Sequence, residues 1–295
     1  MTRRQSILIL LLTGVVTAFL AYRAFHPEEP SWHGKGLSQW LAELDRDHDA
    51  EAVEAIQRIG TNSLPVLLEM LQAKDSLFAT KLMELNSKQS IVRFPVKRAY
   101  DRRTLAAAGL AILGPAAKPA VPALSQALNG KEPFLPAAYA LAHIGPAAIG
   151  PLAEALTNRD SRVRQFTTSS LGWAGASNQA AISLLVATLK ATDANTRAVA
   201  ARSLAQIGPV ASNSIPALIE AAADASDPVR WASIRALGDF GERASAAVPI
   251  LLQASINGNQ RVRREAGAAL KKINPAAAAM AGATIEPSDP ARWRR

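Results

Sequence analysis

Cysteine is absent from the 295 residues, which excludes disulfides, thiolate metal sites and a cysteine nucleophile. The absence is compatible with either redox compartment. Histidine is almost as scarce: His26, His33, His48 and His143 are scattered, and none is followed by a glutamate. There is no Walker-type phosphate loop and no Gly-x-Ser-x-Gly elbow, so those two chemistries have no sequence basis. Aromatic residues make up only 5%, and no strand-like enrichment in Val, Thr and Tyr is seen. Alanine, leucine and isoleucine dominate, which points to an all-α protein with closely packed helices.

What is abundant is repetition. Arg164, Arg197, Arg230 and Arg263 lie 33 residues apart, and eleven residues after each come Gly175, Gly208, Gly241 and Asn274. A fixed period of this size marks a stacked-repeat solenoid. In one repeat, Ala211 to Ala223 has helical periodicity, Asp224 to Asp227 breaks it, and Pro228 stands where a first helical turn tolerates proline. Val229, Ala232, Ala236, Leu237 and Phe240 then form the inner stripe of a second helix, stopped at Gly241. Gly114-Pro115, Gly145-Pro146 and Gly208-Pro209 are stronger stops of the same kind. The same scheme predicts seven antiparallel helix pairs over residues 37–274. An insertion near 76–100, with a short helix at Leu77 to Leu85, is expected to interrupt it, because Gly60 to Gly114 is longer than one period.

These residues resemble a known family. Pro122, Pro216 and Pro249 fall eight after a glycine; Asp160, Asp193 and Asp227 fall in turns; Val163-Arg164, Val229-Arg230 and Val262-Arg263 open second helices. The pattern is similar to the HEAT repeat in the short form of phycobilisome-lyase-like HEAT proteins. It implies a right-handed α-solenoid whose second helices line the concave, partner-binding face. Ser183, Thr196 and Phe134 depart from it. The segment Gly34-Lys35-Gly36-Leu37-Ser38-Gln39-Trp40-Leu41 also resembles the opening of bacterial membrane-anchored HEAT proteins. HEAT-like hydroxylases that bind two irons carry paired His-Glu dipeptides, which this chain lacks. The lyase relatives act on cysteines of other proteins, so the lack of cysteine here does not exclude them.

The repeated arginines are expected to serve the fold, with Asp160–Arg164 and Asp193–Arg197 spaced for an ion pair along one helical turn. His143, near a helix end, is expected to act as a cap. Positions that should point outward from the second helices give a candidate partner-binding stripe of Trp173, Arg202, Trp231, Arg235 and Arg264, followed one turn on by Gln206, Asp239 and Lys272. The bland alternative is a solvated face, with the tryptophans packed between repeats.

The net charge of +9 is polarised. Residues 27–73 carry a net −6, residues 74–103 a net +5, and residues 260–273 a net +4. A groove that tracks nucleic acid needs a continuous basic stripe, so this distribution argues against it. The basic insertion, with Lys88, Arg93, Lys97 and Arg98, is placed to meet anionic head groups or an acidic partner, or is simply solvated.

The first 25 residues have the form of a targeting segment: Arg3 and Arg4 precede an apolar run, and Ser6 to Phe25 reaches the about 20 residues that span a bilayer. Small residues suited to cleavage occur only inside the run, at Val16-Thr17-Ala18. The expectation is an uncleaved signal anchor with the repeats outside the cytoplasm, or secretion if it is cleaved. A linker over 26–36 and a disordered tail over 275–295 complete the layout. The function expected is a non-catalytic, membrane-anchored scaffold that binds a protein, without cofactor or metal. The alternatives are a HEAT-type lyase or other enzyme with an unrecognised site, and a HEAT-type nucleic-acid binder.

Overall fold

The computed structural model describes residues 29–282 apart from 48–49, 89–97, 131, 133 and 176–178. The expected anchor over residues 1–25 lies outside the described residues, as do Arg93 and Lys97. The described chain is helical almost throughout and falls into two units, divided after Leu113.

The first unit opens on a two-stranded ribbon, β1 (Ser31–Trp32) and β2 (Lys35–Gly36), where a linker was expected. The strands pair antiparallel, and the turn residues His33 and Gly34 both have positive φ, 48° and 77°. A two-residue hairpin turn of this twist needs that conformation, and glycine adopts it freely. The ribbon is tied to the next helix, α1 (Leu37–Asp47). The Trp40 indole donates to the Trp32 carbonyl at 3.2 Å, and Lys35 pairs with Glu43 at 2.9 Å. The Gly-x-x-Leu-x-x-Trp-Leu segment thus has a structural job: Leu37, Trp40 and Leu41 are fully buried. Helix α1 packs on α2 (Ala50–Ile59), and α3 (Leu64–Leu71) packs on α5 (Ala99–Leu113). Gly109 allows the close approach, since a Cβ there would lie 2.8 Å from Leu67. Between α3 and α5 the insertion forms α4 (Leu77–Lys88), as periodicity predicted. Its base is closed by a hydrogen bond from the Ala99 amide to Asp75 at 2.6 Å.

The second unit holds five consecutive helix pairs: α6 (Val121–Asn129) with α7 (Pro136–Ile144), α8 (Ile149–Leu156) with α9 (Ser161–Ala174), α10 (Gln179–Thr188) with α11 (Ala194–Ile207), α12 (Ile215–Ala221) with α13 (Asp227–Asp239), and α14 (Val248–Asn257) with α15 (Gln260–Ile273). With the two pairs of the first unit, the pairs are those the sequence predicted. Pro275–Gly282, expected to belong to the tail, forms a further helix, α16, against α15.

The first helices start later than periodicity predicted. Tight 3-10 stretches over 114–120, 208–214 and 241–247 precede α6, α12 and α14. Pro122, Pro216 and Pro249 are the second residues of these helices and have no N–H to give, so the α-helical ladder cannot run back through them. Gly208 and Gly241 take the predicted left-handed conformation, with φ of 69° and 60°, but Gly175 does not, at −64°. Gly175 is required by space instead: a Cβ there would collide with Ile207.

The second helices α7, α9, α11, α13 and α15 stack directly on one another, while the first helices touch at fewer places. Small residues make the tight layer possible. A Cβ on Gly172 would come within 2.7 Å of Ser203, and one on Gly238 within 3.0 Å of Ala269.

Candidate functional site: the face of the second helices

The repeat arginines occupy the turn edge and are bound into the fold. Each turns back to carbonyls of its own turn: Arg164 to Asn158 and Arg159 at 2.8 and 3.1 Å, Arg197 to Ala191 and Thr192 at 2.8 and 3.0 Å, Arg230 to Asp224 and Ala225 at 2.8 and 3.1 Å, Arg263 to Gly258 at 2.9 Å. The structure corrects the expected ion pair along one turn. Arg164 reaches forward to Asp193 of the next repeat at 3.2 Å, and Arg197 makes a two-pronged pair with Asp224 at 2.8 and 2.9 Å. Asp160 and Asp193 are helix N-caps instead, accepting from the Arg162 and Asn195 amides. Asn158 with Asn129, and Asn259 with Asp227, extend the same line of links between repeats. The Arg197 guanidinium beside Asp224 holds that carboxyl below its ordinary value, and Asp193 is lowered first by the Thr196 hydroxyl.

The outward face of the second helices is differently furnished. Arg202, Ala205 and Gln206 on α11, with Ala232, Arg235 and Asp239 on α13, line one groove of about 250 Å³. The structure therefore brings together two residues of the predicted stripe, Arg202 and Arg235. Trp231 stands beside Arg235, whose guanidinium is 5.7 Å from its ring centre, and the Arg261 guanidinium is 3.8 Å from it. Its indole donates to Glu265 at 2.9 Å, so Trp231 is half-buried and fixed. Asp239 is engaged by Lys272 at 2.8 Å. Asp239 is thus ion-paired, whereas Glu265 accepts from a neutral N–H and keeps its charge. Arg202, Arg235 and Arg264 are exposed, and none has a carboxylate partner among the described residues.

Trp173 does not join that group. It lies 46% exposed in an aromatic cluster, edge-on to Tyr139 at 5.8 Å and to Phe166 at 5.9 Å. His143 completes it, 4.2 Å from the Tyr139 ring, with Nδ1 2.8 Å from the Tyr139 carbonyl of its own helix. Tyr139, and the place of His143 on this face, escaped the sequence reading because Pro133-Phe134 replaces the Val-Arg pair from which outward positions were counted. Counting back from the glycine finds them. Six residues before Gly145, Gly208 and Gly241 stand Tyr139, Arg202 and Arg235, and two before Gly145 and Gly175 stand His143 and Trp173. The face thus runs from an aromatic end on α7 and α9 to a cationic end on α11, α13 and α15.

In the basic insertion, Lys88 pairs with Glu84 of its own helix, and the Arg98 amide donates to Asp101 at 3.3 Å. Leu77, at 85% exposure, and Tyr100 are apolar groups left outside there. Residues 99–129 are apolar and long enough to cross a membrane by composition alone. Within them Leu110 and Leu124 are fully buried core residues. Among the described residues no group of three metal-binding side chains converges.

Tandem antiparallel helix pairs, a stacked layer of second helices and a ladder of links between repeats define an α-helical repeat protein. The family model for HEAT repeats matches residues 121–205, 182–271 and 215–290, together more than half of the chain. The chain belongs to the HEAT-repeat family. No curated protein matches the sequence. Among solved structures, an engineered protein is 20% identical over 81% of this chain and 96% of its own, with a TM-score of 0.38. Human deoxyhypusine hydroxylase is 19% identical over 80% and 84%, TM-score 0.37. The CpcE–CpcF complex of phycocyanin lyase from Nostoc sp. PCC7120 is 18% identical over 83% and 98%, TM-score 0.32.

Proposed function

We propose that this chain is a non-catalytic, membrane-anchored scaffold that binds another protein across the face of its second helices. One observation carries the proposal: Arg202 and Arg235 line one groove, Trp231 is held beside Arg235, and Arg264 stands exposed on the next second helix, none of the three arginines in an ion pair among the described residues. Tryptophan and arginine dominate binding energy where they are presented on a rigid surface. The repeat arginines, by contrast, are spent on the fold.

Crosslinking and pull-down with the native protein beside a Trp231→Ala/Arg235→Ala variant tests this. Two hot-spot residues are together worth at least about 2 kcal/mol, roughly a thirty-fold loss of affinity. Undiminished recovery of the partner by the variant removes the face from consideration. The anchor is supported by the apolar run that ends at Phe25 behind Arg3 and Arg4. Protease added to intact cells should digest the repeats; protection would place them in the cytoplasm and overturn the outward topology.

A further inference from the structure

The scaffold reading leaves the partner's chemistry open, and the spacing of the face narrows it. Arg202 and Arg235 occupy the same repeat position on adjacent second helices and line one groove. Their separation is therefore set by one step of helix stacking, about 8–10 Å. Polyproline II places every third side chain on the same side, and three residues at 3.1 Å advance about 9 Å. A β-strand repeats every two residues, about 6.6 Å, and falls out of register after one repeat.

The chemistry at each end agrees. With Asp239 paired to Lys272, the groove presents the Arg202 and Arg235 guanidinium groups, neither of them in an ion pair among the described residues. Beyond Arg202 the same face becomes aromatic, with Tyr139 and Trp173 set edge-on at 5.8 Å. Aromatic-lined grooves are what proline-rich segments dock against, because the extended conformation is already formed and little entropy is lost. Resting on the scaffold reading, we infer that the second-helix face binds an extended acidic segment of a partner protein, in polyproline II form. Carboxylates at every third residue would meet Arg235 and Arg202, and a proline-rich stretch would lie on Tyr139 and Trp173.

The test uses the whole chain and a fluorescent peptide of about twelve residues, with glutamate at every third position, prolines between, and a proline-only end. Anisotropy titration should show it binding at least ten-fold tighter than an isomer with the same residues but glutamate at every second position. Arg202→Ala/Arg235→Ala, both at exposed positions, should remove that preference while the circular dichroism spectrum stays unchanged. Trp173→Ala should weaken only peptides that carry the proline end. Equal binding of the two isomers overturns the inference and leaves the scaffold reading standing, since charge alone would then suffice. Failure of every peptide to bind also overturns it, while the scaffold reading is judged separately by partner recovery with Trp231→Ala/Arg235→Ala. Tighter binding of a peptide copied from residues 284–295, in which Glu286 and Asp289 are also three apart, would give the groove to the chain's own C-terminal segment. Equal binding of oligothymidylate would give it to nucleic acid. Either result overturns the assignment to a protein partner.

Discussion

Replacing Arg197 with alanine should cost far more than replacing Arg263, although the sequence gives the two the same rank. Arg197 makes a two-pronged pair with Asp224 at 2.8 and 2.9 Å and donates to two carbonyls of its own turn. Both partners are largely covered, with side chains 16% and 13% exposed. Exposed ion pairs are worth about 0–1 kcal/mol, whereas breaking a fully buried one costs about 3–5. At this intermediate burial, with carbonyls also left unpaired, Arg197→Ala should lose about 2–3 kcal/mol. Among the described residues the Arg263 side chain donates to the Gly258 carbonyl alone, at an exposed edge, and Arg263→Ala should lose under about 1 kcal/mol. Urea denaturation followed by circular dichroism at several pH values measures both. The Asp224 carboxyl is lowered below its ordinary 3.8 by Arg197. Its contribution is therefore complete above about pH 4 and is lost as pH falls through the folded-state value. Asp224→Asn should remove that part of the acid dependence. In a stacked array the lost interface should also separate the melting of neighbouring repeats. Equal costs for Arg197→Ala and Arg263→Ala, or acid sensitivity unchanged in Asp224→Asn, would refute the idea that the arginines act by clamping the next repeat.

Gly172→Val should destabilise the second unit by at least about 2 kcal/mol, because even a Cβ comes within 2.7 Å of Ser203; thermal melting checks it. Ser233→Ala should stabilise by about 1 kcal/mol in urea denaturation, since its hydroxyl is buried without a partner among the described residues. Trp40→Ala should cost about 3–5 kcal/mol and increase hydrogen exchange through α1 and the ribbon, whose strand carbonyl at Trp32 receives the indole N–H.

The repeat architecture was legible because periodicity, prolines and glycines act locally. Val163, Val229 and Val262 were assigned inside and are buried, and the pairs fell where the glycine spacing put them. Contacts between repeats were not legible. Spacing within one helix allowed Asp193–Arg197, but only the stacked structure shows Arg197 crossing to Asp224, which breaks the repeat pattern by sitting three residues before Asp227. Gly175 shares the repeat position of Gly208 and Gly241, but it is needed for the space that Ile207 fills. On the face, outward direction was predictable, so Arg202 and Arg235 were found. Which outward residues touch depends on side-chain reach between helices, so the pairing of Trp231 with Glu265 and Arg261, and the aromatic cluster at Trp173, emerged only from the structure.

The central claim is that a partner sits on the second helices. Photo-crosslinking residues placed singly at Gln206 and Arg235, and at Ile256 on a first helix where the side chain is 63% exposed, test it most directly in cells. The account predicts a shared crosslinked product from positions 206 and 235 and none from 256. Crosslinks concentrated at 256, with 206 and 235 silent, would contradict it.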